Sequence, residues 1–166
     1  MSNITADILR EFIHYNPIDG SFTWIKSTYR KGSPGRRAGH ISKTTGYLRI
    51  KILGQEYQAH RLAWLITYGD WPIGEIDHID LDKTNNRISN LREATRSQNN
   101  QNWPALSNNK SGYKGVSFHS KNGKWASRIR KDGVQRSLGY FRTPQEAHEA
   151  YARESTKIFG QFARTK

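Results

Sequence analysis

Apolar and polar positions alternate in ways that divide the chain into short elements. Ile4, Ile8, Phe12 and Ile13 recur at near-helical spacing, so a helix is predicted from Thr5 to Tyr15, capped by Thr5 or Asp7. Asn16-Pro17-Ile18-Asp19-Gly20 reads as a turn, and Ser21 to Ile25 as a strand. Gly46 to Ile52 alternates with a period of two, Leu53-Gly54 turns, and Gln55 to Gln58 returns, which makes a hairpin. From Ala59 to Tyr68 the period becomes helical, with Ala59, Leu62, Ala63 and Ile66 on one face and Gly69 ending the run. Gly74-Glu75-Ile76 leads a short strand into the polar stretch Leu81 to Asn86. Leu91 to Ala94 is a second strand, and Thr95 or Ser97 caps a helix that Pro104 stops.

The last third repeats one grammar. Tyr113–His119, Lys124–Lys131 and Val134–Phe141 read as three strands, with turn signals at Lys121-Asn122-Gly123 and Asp132-Gly133. Thr143-Pro144-Gln145-Glu146 is a capping box, and Ala147, Ala150, Tyr151 and Ile158 form the apolar stripe of the helix it opens. Alternation turns Val116, Phe118, Trp125 and Ile129 toward that helix. Ser117, His119, Lys124, Arg128, Arg130, Gln135 and Ser137 share the opposite face.

Composition narrows the class. The 166 residues allow one domain or two small ones, and 34% hydrophobic with 11% aromatic residues is enough for small cores. The chain has no cysteine, which excludes disulfides and thiolate zinc sites. No apolar run approaches the roughly 20 residues that span a bilayer, and Met1 to Asp7 lacks the regions of a signal peptide, so a cytoplasmic protein without a membrane partner is expected. Net charge is +13, and residues 107–166 hold +9 of it, from 13 basic and 4 acidic residues. A basic domain with interleaved aromatics points to nucleic acid. Lys26 to Gly39, with Arg30, Lys31, Arg36 and Arg37, fits both a phosphate-tracking loop and a solvated one. His14 and His40 read as surface or turn histidines, and His60, at the start of a helix, as a cap or core hydrogen-bonder whose part in a site stays open.

The chemistry concentrates at Ile76-Asp77-His78-Ile79-Asp80, followed by Asn90 and Asn99. Phosphodiester hydrolysis needs a base to activate water and a cation to hold charge on the phosphate. An Asp beside a His at a strand end supplies both. The run from Asp80 resembles a calcium loop but fails it, with Asn85 at the sixth position and Leu91 at the twelfth.

Ala59-His60-Arg61-Leu62, Asp77-His78, Asn85-Asn86-Arg87, Asn90-Leu91-Arg92 and Asn99 together resemble the HNH endonucleases, most closely those found as phage homing endonucleases, whose final motif position is Asn. The resemblance implies His78 as general base, Asp77 and Asn99 as ligands of one divalent metal ion, and Asn90 as the residue that shapes the loop and orients the base. One carboxylate and one amide oxygen suit magnesium or manganese better than zinc. Many members have His where this chain has Asn99, which argues for a softer pH dependence at the metal. Tyr113-Lys114-Gly115-Val116, Lys124-Trp125-Ala126, Ile129-Arg130, Leu138-Gly139-Tyr140-Phe141 and Glu146 to Tyr151 resemble the Apetala-type (ethylene-response-factor) DNA-binding domain. That likeness implies a sheet laid in the DNA major groove, with Lys114, His119, Lys124, Arg128, Arg130 and Gln135 as contacts.

The fold expected is α+β: a small ββα-metal HNH nuclease module with a preceding hairpin and helix, then a three-stranded antiparallel sheet packed on one helix. Residues 1–106 form the N-terminal region and nuclease domain, with the motif at 76–103, and residues 107–166 the DNA-binding domain. The function expected is a metal-dependent endonuclease on double-stranded DNA, a monomer rather than a dimer, acting as a phage protein in the bacterial host. The alternative is a catalytically inactive, sequence-specific DNA-binding regulator; a structure-specific RNA binder is a third reading.

Overall fold

The computed structural model describes residues 4–26, 34–105 and 108–165, so the middle of the basic loop expected over 26–39, residues 27–33 with Arg30 and Lys31, lies outside the described residues. The chain divides into two compact units, Met1–Glu93 and Ala94–Lys166.

The first unit opens with α1 (Ala6–Phe12), capped by the Thr5 hydroxyl, which accepts from Ile8 N at 3.4 Å. The helix is shorter than the spacing predicts. Ile13 and Tyr15 are buried on either side of an exposed His14, a period of two, and Ile13–Tyr15 is strand β1, antiparallel to β2 (Phe22–Trp24). Next, β3 (His40–Ile41), β4 (Leu48–Ile52) and β5 (Gln55–Gln58) form an antiparallel sheet in that order. Helix α2 (Ala59–Tyr68) follows at once and ends at Gly69, whose φ of +87° suits a residue without Cβ. Leu9, Ile13, Phe22, Ile50, Ile52, Leu62 and Leu65 are sealed in one core. Against it lies β6 (Glu75–His78), paired with β7 (Leu91–Ala94). Arg61, on α2, donates to the carbonyls of Gly74 (3.2 Å) and Pro72 (3.3 Å), which ties α2 to the start of β6.

The second unit begins where β7 ends. Helix α3 (Arg96–Asn102) carries a full capping box, Thr95 with Gln98. Then come β8 (Val116–His119), β9 (Lys124–Lys131) and β10 (Val134–Phe141), antiparallel with β9 central, and α4 (Pro144–Phe159), capped by Thr143. Ile129, Tyr151, Phe159 and Phe162 form its core. Val116 and Ile129 are buried as the alternation requires, but Phe118 is 56% exposed and packs edge-on against the half-buried Trp125 at 5.2 Å.

The unit boundary falls before α3, earlier than the polar joint after residue 106, because α3 is docked within the second unit. Gln101 donates to Arg130 O (3.2 Å) and accepts from the Tyr151 hydroxyl (3.0 Å), and Ser97 Oγ accepts from Asp132 N (3.2 Å). No helix among the described residues is long and apolar enough to cross a membrane.

Candidate active site

His78 ends β6, where the chain turns into a loop closed by side chains. Asn90 is the clamp: its Oδ1 accepts from Asp80 N (3.1 Å), and its Nδ2 donates to Asp80 Oδ1 and Asn85 O, both at 2.9 Å. Asn85 Nδ2 adds a bond to Asp80 Oδ2 at 2.6 Å, and Asp82 accepts from Thr84 N and Oγ1. Partial burial pushes the Asp80 carboxyl up, but the bonds from Asn85 and Asn90 outweigh it and hold the group below its usual range. Leu81 sits at φ +70°, a conformation that side-chain-bearing residues rarely adopt, with its N–H on His78 O at 3.0 Å. The loop therefore holds its shape through polar bonds, three of them made by the Asn90 side chain.

The imidazole of His78 is held by a different residue. Asn86, wholly buried, donates from Nδ2 to Thr84 O at 3.1 Å, so its carbonyl end faces His78 Nε2 at 3.3 Å. An amide oxygen only accepts. Nε2 therefore carries the proton of the neutral ring, and Nδ1 carries the lone pair. His78 is 4% exposed, edge-on to the His60 ring (5.0 Å) and tilted against Tyr47 (5.8 Å). Burial pushes its basicity down, and the Asn86 bond and the carboxylates of Asp80 and Asp77 offset this only in part. The ring is neutral near pH 7, the state a general base requires.

His60 is as buried as His78, and its Nδ1 has no hydrogen-bond partner. Burial, then the facing His78 and Arg61, push it down to about 3, so it stays neutral. Asp77 is 3% exposed and ion-paired with Arg92, whose Nε (2.8 Å) and Nη2 (2.7 Å) both reach Asp77 Oδ2. Among the described residues no three His, Cys, Asp or Glu side chains cluster to hold a metal. The donors the motif offers a cation are oxygens: the Asp77 carboxylate here, and the Asn99 amide, which lies half-buried on α3 in the other unit. An oxygen-only, ligand-poor set fits a hard ion that keeps most of its water.

In the second unit, pairing joins His119 to Lys124, Arg128 to Ser137, and Arg130 to Gln135. Paired residues share a face, so five of the six expected DNA contacts lie together on one side of the sheet, with Lys124, Arg130 and Gln135 exposed. Lys114 is elsewhere. Its ammonium is half-buried and donates to the carbonyls of Gln101 and Trp103, each at 2.6 Å, and of Asn100 at 3.5 Å, at the C-terminal end of α3. Burial holds it down to about 8.

Sequence reasoning missed Asn86 as the partner of His78 and Arg92 as the partner of Asp77. One signal existed: a buried carboxylate requires a counter-charge, and Arg92 stands on the strand that pairs with β6.

A family model described as HNH endonuclease matches residues 57–101. An uncharacterised HNH endonuclease of Acanthamoeba polyphaga mimivirus is 37% identical over 121 residues, 72% of this chain; the chain spans 62% of that relative's length. Protein 3.8 of Escherichia phage T7 is 33% identical over 117 residues, covering 62% of this chain and 97% of that one. A solved structure of DNA binding and cleavage by the HNH homing endonuclease I-HmuI is similar at a TM-score of 0.42 and 24% identity, over 88% of this chain and 84% of that one, a likeness too low to transfer arrangement.

Proposed function

The chain belongs to the HNH endonuclease family, and from that premise we propose that it hydrolyses phosphodiester bonds in double-stranded DNA with His78 as general base. The observation that carries this is the setting of His78: the ring is buried, burial lowers its basicity, and its Nε2 lies 3.3 Å from the Asn86 amide oxygen, which accepts a hydrogen bond from Nε2–H and so makes Nδ1 the basic nitrogen. Nδ1 removes a proton from water, the water oxygen attacks phosphorus, and the P–O bond to the leaving sugar oxygen breaks. Asp77 and Asn99 would hold the divalent ion that HNH nucleases generally use, magnesium or manganese by its oxygen donors, which would supply positive charge to the phosphate and leaving oxygen. Asn90 acts on the loop and Asn86 on the imidazole.

The second unit, read as an Apetala-type domain, supplies affinity and site choice through His119, Lys124, Arg128, Arg130 and Gln135, while Lys114 anchors α3. Exposed Arg and Lys on one sheet face support phosphate and guanine contacts in a major groove. One candidate site among the described residues suits a monomer that nicks one strand, whereas a dimer would cut both; the expected place of action is the bacterial host cell.

Supercoiled plasmid incubated with the full chain tests the reading. Magnesium or manganese should yield nicked circles, and EDTA should abolish them. Intact plasmid under every divalent ion, with DNA still bound, would instead identify a DNA-binding regulator.

A further inference from the structure

The segment of residues 15–20 is docked on the loop that carries Asn86. Three consecutive loop residues each bond to it. Asn86 O accepts from the Tyr15 hydroxyl at 2.7 Å, Arg87 Nε donates to Ile18 O at 3.0 Å, and Ile88 N donates to Pro17 O at 3.3 Å. Between them, Gly20 approaches the loop so closely that a Cβ there would lie 2.5 Å from Arg87 N and 2.6 Å from Asn86 C. Its φ of +76° also excludes most side chains.

The turn is rigid in itself. Asn16 accepts from Gly20 N (2.8 Å) through its carbonyl and from Ile18 N (3.0 Å) through its side chain, and Asp19 accepts from Ser21 N at 2.7 Å. Tyr15 is buried against Phe22, ring centroids 4.8 Å apart, so the donor to Asn86 O cannot swing away. Burial pushes its hydroxyl up to about 12, which keeps the proton in place.

We propose that Tyr15 and Gly20 are positioning residues of the active site: the β1–β2 turn fixes the backbone at Asn86, and through Asn86 Oδ1 it fixes the orientation and tautomer of His78. This rests on His78 as the base. It assigns a positioning purpose to the N-terminal segment, which reaches the loop at Asn86, Arg87 and Ile88. A shift of Asn86 by about 1 Å would carry the imidazole off line, and misplacement on that scale costs about 10²-fold in rate.

The test uses the full chain in single-turnover plasmid nicking, with DNA affinity measured separately and ¹⁵N shifts of the His78 ring recorded at one pH. Tyr15→Phe, which removes one hydrogen bond, should slow nicking about tenfold; Gly20→Ala should slow it about a hundredfold. Neither should change DNA affinity by more than about twofold. In both variants the Nε2 and Nδ1 shifts of His78 should move toward a mixture of tautomers. Nicking within twofold of wild type in folded Gly20→Ala would overturn the proposal, as would a rate loss matched by an equal loss of DNA affinity. Should Gly20→Ala fail to fold, Tyr15→Phe decides alone by the same criteria. A wild-type chain that nicks nothing would end the nuclease reading, yet the ring shifts would still test whether the turn holds His78.

Discussion

His60 is a neutral imidazole sealed beside the proposed base, and its environment has a consequence for stability. The unfolded chain protonates this ring near pH 6.5, the folded chain only near pH 3. Between those values the unfolded state binds more protons, so stability is full above about pH 6.5 and is lost as pH falls toward 3. Urea unfolding from pH 7 to pH 4 should show the wild type losing a few kcal/mol more than His60→Phe, on the order of magnitude that linkage sets. Parallel curves for the two proteins would contradict this account of His60. Asp77 presents the opposite case: Arg92 compensates its buried charge.

The elements divide by how local their causes are. The β4–β5 hairpin, the β9–β10 hairpin and the Thr143 cap of α4 were legible because turn residues and periodicity specify them within a few positions. The end of α1 was not: Ile13 suits a helical stripe and a strand equally, and pairing with Trp24 decides. The position of α3 was also hidden, because Gln98 to Asn102 reads as a solvated face until Gln101 finds Arg130 O and Tyr151. Within the site, the motif residues were legible and their partners were not, since Asn86 and Arg92 act through contacts that spacing does not encode. Lys114 looked like a DNA contact for the same reason: charge is visible in sequence, and the carbonyls that occupy it are not. Lys114→Met should therefore destabilise the protein by about 1–2 kcal/mol, the usual worth of such bonds, in chemical denaturation. It should leave the salt dependence of DNA binding unchanged; a slope shallower by about one unit would return Lys114 to the phosphate contacts.

For the whole molecule the dominant quantity is a net charge of +13 on 166 residues, most of it in the last third. If the second unit tracks the duplex backbone with six to ten phosphate contacts, the logarithm of affinity should fall against the logarithm of salt with a slope of roughly −5 to −9. Replacing Lys124 and Arg130 together by Ala should make that slope shallower by about two, and a flat salt response in the wild type would remove the basic-face model. The imidazole of His78 and the basic sheet face belong to different units, so substitution of the proposed base should leave DNA affinity unchanged. The most direct measurement is the single-turnover cleavage rate of DNA-saturated His78→Ala against wild type, with magnesium. The rate should fall about 10²–10⁴-fold, the usual share of a general base, with DNA affinity intact; an unchanged rate would exclude His78 as the base.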